Sequence, residues 1–220
     1  MNKLLQYSSI TRKVFMGLAG LFLALFLCVH LIINLLMLAG DNGEMFTAAA
    51  GFMSSNILIK IFEVVLFGGF LLHMLVGVAV TLKNWRSRPV RYYKANKSET
   101  SLFSKYMFHT GIIIAIFLVL HFMNFFFVKL GWVDAPAGID KHDFYPMAIL
   151  LFQNPWYSAI YLVFFVFLGF HLNHSIQSGL QTLGMNHNKY NKAIKIFSAA
   201  YAIIISVGFA VIPVYFLFFF

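Results

Sequence analysis

The sequence has few charged residues: Asp, Glu, Lys and Arg make up 10% of its 220 residues, whereas 61% are hydrophobic. Soluble domains are about half apolar and a quarter charged, so water is not the main solvent of this chain. Among the charged residues, 7 are acidic and 16 are basic, so the net charge is +9. The basic residues fall in separate segments between apolar runs, which argues against nucleic acid as a partner.

Cysteine is nearly absent. The single cysteine, Cys28, lies inside an apolar run. It therefore excludes an internal disulfide and any iron–sulfur cluster ligated by cysteines of this chain alone. No C-x-x-C-H motif is present, so a haem here would not be thioether-linked. The segments between apolar runs are shorter than about 30 residues, too short for a soluble domain with its own core. Chemistry on water-soluble substrates is therefore expected on other proteins.

Five apolar runs are present, each longer than the ~20 residues needed to cross hydrocarbon. They lie at about 14–38, 57–82, 106–130, 157–182 and 193–218. The first run lacks a small-residue cleavage site and is longer than a signal-peptide core, so we expect a retained helix. No linker or low-complexity tract divides the chain. The sequence predicts an all-α membrane protein, a bundle of five transmembrane helices in a single domain over 1–220.

Charge and aromatic residues predict how the bundle is oriented. Basic residues gather before the first helix and in the second and fourth connections: Lys3, Arg12, Lys13; Lys83, Arg86, Arg88, Arg91, Lys94, Lys97, Lys105; Lys189, Lys192, Lys195. The positive-inside rule then places the N-terminus in the cytoplasm and the C-terminus in the periplasm. Amphipathic aromatic rings fall at both boundaries, with Tyr7, Trp85, Tyr92, Tyr93 and Tyr106 inside and Trp132, Trp156 and Tyr157 outside. The two signals agree.

Five of the eight histidines lie within the predicted spans: His30, His73, His121, His171 and His174. Ionisable groups at membrane depth are costly and usually face the bundle interior with a definite partner. A single one of them could simply form a hydrogen bond with a neighbouring helix. The other three, His109, His142 and His187, are expected to be solvated. The run 140–143 (DKHD) could bind a metal, but a short polar loop explains it as well.

The depths of the histidines, taken from the rise of about 1.5 Å per residue, sort them into pairs. His30 and His121 lie roughly 25 Å and 24 Å from the inner boundary. His73 and His171 lie roughly 15 Å and 18 Å from it. Each of four helices thus contributes one imidazole. Two of these imidazoles lie at the outer level and two at the inner level. His174 follows His171 by three residues on nearly the same face, so only one of the two can be axial.

This arrangement suits two haem groups, each held between opposed imidazoles. Zinc is the competing metal, but it would need three or four ligands converging at one level. Two axial imidazoles disfavour oxygen binding and leave electron transfer as the natural role. His171 is the favoured ligand, and His174 is then a hydrogen-bond partner of a propionate, of quinone or of another helix. Gly69 and Gly77, one turn either side of His73, would admit a porphyrin face, as would the other glycines of these helices (Gly17, Gly20, Gly68, Gly111 and Gly169), although ordinary close helix packing explains them equally well.

The chain resembles the dihaem cytochrome b anchors of bacterial succinate dehydrogenases and fumarate reductases, of the single-chain five-helix type. The likeness covers almost the whole chain. It rests on residues 8–13 (SSITRK), His30 with Asn34, His73, His121, and residues 170–178 (FHLNHSIQS). The resemblance implies that His73 and His171 hold a proximal haem b near the cytoplasm. It also implies that His30 and His121 hold a distal haem b.

Partners and substrate are also implied by the resemblance. They are a flavoprotein carrying FAD and an iron–sulfur protein on the cytoplasmic face of a bacterial inner membrane, and a quinone, expected to be menaquinone. The basic second connection is placed for docking, although the charge rule alone explains it. Some relatives use a glutamate near the distal haem for quinol protons, which makes Glu44 and Glu63 candidates here. Glu63 has an alternative, because Lys60 could pair with it on the helix surface.

Two other functions compete with this one. The first is a cytochrome b anchor of a hydrogenase or formate dehydrogenase, although those resemble four-helix bundles with different histidine spacing. The second is a non-haem transporter or proton-conducting protein that uses histidines as a relay. Against a transporter, the sequence has neither broken helices nor paired acidic residues at mid-membrane.

Overall fold

The computed structural model describes residues 3–86 and 106–220, with side chains from residue 11 onward. These ranges contain helices and no strand. Five helices are long and apolar enough to cross a membrane. The spanning helices, numbered one to five below, are Lys3–Leu35, Ile57–Arg86, Met107–His121 with its continuation to Lys129, Pro155–Leu180 with its continuation to Met185, and Asn188–Phe218. The chain is therefore a multi-pass, all-α membrane protein, as its apolar runs predict.

The helix bounds extend beyond the apolar runs at several ends. Helix one begins at Lys3 rather than near residue 14, and helix five begins at Asn188 rather than near residue 193. Polar turns at a membrane boundary remain helical because their backbone bonds are made within the helix. The basic residues of 88–105 and the predicted boundary residues Tyr92 and Tyr93 lie outside the described residues, as does the side chain of Tyr7.

Helices one to four form a ring within the described ranges. Helix one packs against helices two and four, helix three packs against helix four and more loosely against helix two, and helix five covers helices one and four. Helices one and three are therefore diagonal to each other, and so are helices two and four. Neither diagonal pair packs closely through its backbone. Contact across the centre of the ring is therefore made mainly by side chains.

The best-buried side chains of the described residues include Tyr161 of helix four and Ile205 and Phe216 of helix five. Tyr161 packs against Phe117 of helix three and against Phe152, and Phe216 packs against Tyr145. By contrast, no residue of helix two is buried. Its exposed Val, Leu, Ile and Phe side chains match the apolar interior of a bilayer, where lipid replaces protein as the neighbour. Helix two is thus attached to the bundle mainly along helix one.

Two short helices, Glu44–Ser55 and Phe144–Phe152, contact each other at one end of the bundle. The end of the bundle that contains these two helices is called the short-helix end, and the other end of the bundle is called the opposite end. The first short helix begins where the Asp41 carboxylate accepts hydrogen bonds from the backbone of Gly43 and Met45. Both segments are predicted above only as connections, so the sequence interpretation missed them.

Aromatic residues mark both ends, as predicted. Trp132 and Trp156 are 72% and 78% exposed near the short-helix end, and Trp85 is 57% exposed near the opposite end. Asn154 caps the start of helix four through the backbone N–H groups of Trp156 and Tyr157. Helix four ends in a π-helical turn that closes at Gly184, whose φ of +100° is favourable for glycine. Which end faces the cytoplasm stays a prediction.

Candidate functional site

His30 of helix one and His121 of helix three face each other across the ring. Their ring centroids are 5.9 Å apart, and the ring planes are 82° from parallel. Each ring stacks on a phenylalanine of its own helix, Phe26 beside His30 at 5.3 Å and Phe117 beside His121 at 5.9 Å. In each stack the two residues are four positions apart, so their side chains are neighbours on the same face of the helix. They hold both imidazoles toward the bundle axis.

His73 of helix two and His171 of helix four form a second pair. Their centroids are 6.4 Å apart with the planes at 77°. Each ring lies against a glycine of a neighbouring helix. A Cβ at Gly20 would lie 3.3 Å from His73 Cε1, and a Cβ at Gly111 would lie 3.6 Å from His171 Cε1. Glycine at position 20 therefore leaves room for the His73 ring, whereas a Cβ at position 111 would make only an ordinary van der Waals contact with His171.

The two pairs lie at different depths. Gly20 lies at the level of His73 and precedes His30 by ten residues, and Gly111 lies at the level of His171 and precedes His121 by ten residues. Ten residues of helix correspond to roughly 15 Å along the axis. The structure thus brings together the same two pairs that the depths of the histidines predict. The His30–His121 pair lies nearer the short-helix end.

Both separations match two imidazoles on opposite sides of one metal ion. With metal–nitrogen bonds of about 2 Å on each side, the ring centroids would lie roughly 6 Å apart. Within residues 3–86 and 106–220, no group of three or more His, Cys, Asp or Glu side chains converges on a possible metal. The two-ligand geometry therefore fits a haem iron, whose other four ligands come from the porphyrin, better than zinc.

The hydrogen bonds at the ring nitrogens differ between the four histidines. His171 Nδ1 lies 3.2 Å from the hydroxyl oxygen of Thr110 on helix three. His30 Nδ1 lies 3.4 Å from the Asn34 amide nitrogen, which donates a shorter bond of 2.7 Å to the His30 carbonyl. The Nδ1 atoms of His73 and His121 are buried without a hydrogen-bond partner. Buried polar atoms without partners are rare and need an explanation, such as a missing ligand or water.

The remaining histidines lie apart from the two pairs. His174 is half-buried one turn beyond His171, and it is His171 whose ring faces His73. His109, His142 and His187 are exposed, in line with solvated side chains. His187 caps helix five by accepting a hydrogen bond from the backbone of Lys189. In the 140–143 loop, the Asp140 carboxylate accepts from the backbone of His142, which is the geometry of an ordinary polar turn.

Comparison with protein-family models, with curated proteins and with solved structures gave no match.

The two candidate glutamates lie at the short-helix end. Glu44 is exposed at the start of the first short helix. Glu63 pairs with Lys129 at the end of helix three, with 3.9 Å between the carboxylate oxygen and the ammonium nitrogen. The alternative that Lys60 pairs with Glu63 is therefore replaced by an ion pair between helices two and three. Glu63 precedes His73 by ten residues, so it lies roughly 15 Å from that residue along the helix.

Two spaces in the bundle contain polar side chains. A crevice of about 330 Å³ opens at the opposite end, beyond the close contact of Gly17 with Gly179. It is lined by Lys13, Val14, Ser178, Gln181, Thr182 and Asn186. A smaller cavity of about 130 Å³ at the short-helix end is lined by Phe46, Thr47, Ala50, Gly51, Ser54, Lys129, His142 and Phe144. Among the described residues that line the crevice, one is a cation, Lys13, and none is a carboxylate.

Sequence reasoning assigned no role to three residues near the histidine pairs. Thr110 contacts His171 from another helix. Asn124 lies in the π-helical turn that follows His121 and donates a hydrogen bond of 3.0 Å to the buried hydroxyl of Tyr161. π-turns occur often at functional sites, but a helical turn of this kind has no sequence signature. The one available signal was a polar residue in an apolar run, which Thr110 and Asn124 both satisfy.

Proposed function

We propose that this chain is the cytochrome b membrane-anchor subunit of a succinate:quinone oxidoreductase. Its two b haems are held by His30 with His121 and by His73 with His171. The observation that carries the proposal is the meeting of these imidazoles from diagonal helices at two depths, 5.9 Å and 6.4 Å apart. A b haem with two imidazole ligands supplies one-electron transfer without opening a site to oxygen.

The surroundings of the pairs support a porphyrin at each level. The diagonal helices are not packed against each other through their backbones, which is what a flat ring between them would require. Phe26, Phe117 and Phe209 provide apolar walls around His30 and His121. Ser178 follows His171 by two turns, which places the crevice roughly 10 Å beyond the His73–His171 pair. Lys13 and the hydroxyl and amide groups of this crevice are suitable partners for the carboxylates of a haem.

The remaining parts of the proposal follow from charge and resemblance. The opposite end contains Lys13, Lys83 and Arg86, so the positive-inside rule places it in the cytoplasm of a bacterial cell, at the inner membrane. There the chain would meet an iron–sulfur protein and a flavoprotein that carries FAD and the dicarboxylate site. Electrons would pass from these partners through the two haem levels toward the short-helix end, or in the reverse direction.

Quinone exchange is proposed at the short-helix end, near the His30–His121 pair. The small cavity there combines aromatic walls, Phe46 and Phe144, with polar groups on Lys129 and His142. Such a mixture of apolar walls and a few directed polar groups is typical of small-molecule sites. Glu63, paired with Lys129, is the carboxylate best placed to exchange protons with a quinol, expected to be menaquinol.

The first test is a visible absorption spectrum of the purified chain, with haem content measured against protein. Two low-spin b haems per chain are expected. A preparation without haem from haem-replete cells would overturn the proposal and favour a transporter that uses its histidines as a relay.

The second test identifies the complex by purifying the tagged chain from its native membrane. A flavoprotein and an iron–sulfur protein that together oxidise succinate with a quinone are expected to co-purify. Recovery of a hydrogenase or a formate dehydrogenase instead would retain the haem assignment and change the enzyme.

A further inference from the structure

Thr110 makes two polar contacts, one within its own helix and one with His171. The side chain is 8% exposed, on helix three. Its hydroxyl donates to the carbonyl oxygen of Met107, one turn earlier, at 2.9 Å. The same oxygen lies 3.2 Å from His171 Nδ1 on helix four. The hydroxyl has one proton, and when this proton is donated to Met107 the Thr110 oxygen can accept a hydrogen bond from His171 Nδ1–H.

This arrangement requires the tautomer of His171 that carries its proton on Nδ1. With the proton on Nδ1, the lone pair is on Nε2, the nitrogen then available to bind a metal. Metal-binding histidines commonly donate their second ring N–H to an oxygen, and this contact fixes the orientation of the ring and raises its basicity as a ligand. Thr110 therefore provides the oxygen that would receive the second ring N–H of His171 when His171 binds a metal.

At the Nδ1 atoms of the other three paired histidines the structure describes no side-chain hydroxyl, although the backbone oxygen of Met16 lies near the His73 ring. His73 Nδ1 and His121 Nδ1 have no hydrogen-bond partner. The group near His30 Nδ1 is the Asn34 amide nitrogen, a donor already bonded to the His30 carbonyl. Among the four paired histidines, a side-chain hydroxyl at Nδ1 is therefore described only for His171, and an effect of Thr110 should be confined to the His73–His171 level.

We propose that Thr110 is a positioning residue that lowers the reduction potential of the haem held by His73 and His171. The proposal rests on the proposed function. A more basic imidazole stabilises the ferric iron over the ferrous iron, because the oxidised centre carries one more positive charge. Removing the Thr110 oxygen should therefore favour reduction of this haem and leave the haem of His30 and His121 unchanged.

The test is a redox titration of the two haems in the whole complex carrying Thr110→Val, which keeps the side-chain shape and removes the hydroxyl. The equilibrium constant for reduction of one haem should rise by about three- to tenfold. At 59 mV per tenfold change for one electron, this corresponds to an upward shift of roughly 30–60 mV. Thr110→Ser restores the oxygen and should return the potential to that of the unchanged protein.

Ser175→Ala is the matched control, because Ser175 donates to the His171 carbonyl and does not touch the ring. It should leave both potentials unchanged. Loss of one haem in Thr110→Val but not in Thr110→Ser would also support the positioning role. Unshifted potentials, an equal shift of both haems, or the same shift in the serine variant would overturn it. Absence of haem from the wild-type protein would instead refute the proposed function. Failure of the Thr110 proposal and failure of the proposed function are therefore distinguishable.

Discussion

His30 and His121 stand on diagonal helices of the ring, and their imidazoles meet at its centre with centroids 5.9 Å apart. Their helices make few close backbone approaches to each other. Close packing of the two helix backbones therefore does not explain the contact between the two side chains. Two polar rings meeting in an apolar interior, with Phe26, Phe117 and Phe209 around them, need a shared partner to offset the cost of their burial.

Substitution of either residue of this pair should remove one haem and retain the other. In His30→Ala or His121→Ala, the haem content should fall from two per chain to one, because a single remaining imidazole leaves one axial position of the iron empty. Haem and protein assays on the purified variants measure this. His109→Ala is the control, since its exposed side chain lies outside both pairs, and it should keep two haems. Retention of two haems in both pair variants would contradict the assignment.

The neighbouring histidines of helix four should behave differently from each other. His171 faces His73 at 6.4 Å, whereas His174 lies one turn further along the helix. We expect His171→Ala to lose the haem at this level and His174→Ala to keep two haems per chain. The same haem assay measures both variants. The opposite result would make His174 the axial ligand and would require a rotation of helix four relative to its position here.

The sequence predicted the spans and the histidine pairs because both depend on regular helix geometry. A rise of about 1.5 Å per residue, applied from the charged boundaries, places His30 with His121 and His73 with His171. It did not predict contacts that depend on which helices are neighbours. From the sequence, an ion pair of Glu63 with Lys60 on its own helix was equally reasonable. In the structure the rotation and tilt of helices two and three bring Lys129 to Glu63 instead.

The short helices were missed for another reason. Glu44–Ser55 and Phe144–Phe152 are too short to span, so a search for spanning runs treats them as connections. A local signal existed, since Asp41, Asn42 and Gly43 form a turn in which the aspartate caps the following backbone. Thr110 was missed because a single threonine in an apolar run has an equally good explanation in its bond to the carbonyl three residues earlier.

Membrane orientation can be tested with single cysteines in a Cys28→Ser background. His142 and His187 are exposed at the short-helix end and the opposite end, respectively. If the opposite end is cytoplasmic, a membrane-impermeant maleimide added to spheroplasts should label His142→Cys. It should label His187→Cys only after the cells are opened. The reversed pattern would invert the bundle and place the His30–His121 pair nearer the cytoplasm.

Gly43 should be needed for the short-helix end. Its φ is +82°, and a Cβ there would overlap the ring of Tyr145. Gly43→Ala should therefore cost about 1–2 kcal/mol for the left-handed backbone and roughly 1–3 kcal/mol more for overpacking. Gly40→Ala is the matched control, because its φ is +78° with no atom within 4 Å of the added Cβ, and it should show only the first cost. Thermal unfolding in detergent compares the two, and equal midpoints would contradict the packing of Tyr145 on Gly43.

Glu63 should matter for turnover with quinone but not for haem binding. Its ion pair with Lys129 is partly exposed, with 24% and 35% of the Lys129 and Glu63 side chains accessible, and such pairs add at most about 1 kcal/mol to stability. Glu63→Gln should therefore leave the fold and both haems in place. A proton-exchanging carboxylate contributes far more to rate, so succinate-dependent quinone reduction should fall by roughly 10²-fold. Glu44→Gln is the control, because Glu44 is an exposed carboxylate on the short helix, and it should keep its activity. A loss confined to Glu44→Gln would move the proton-exchanging group to the first short helix.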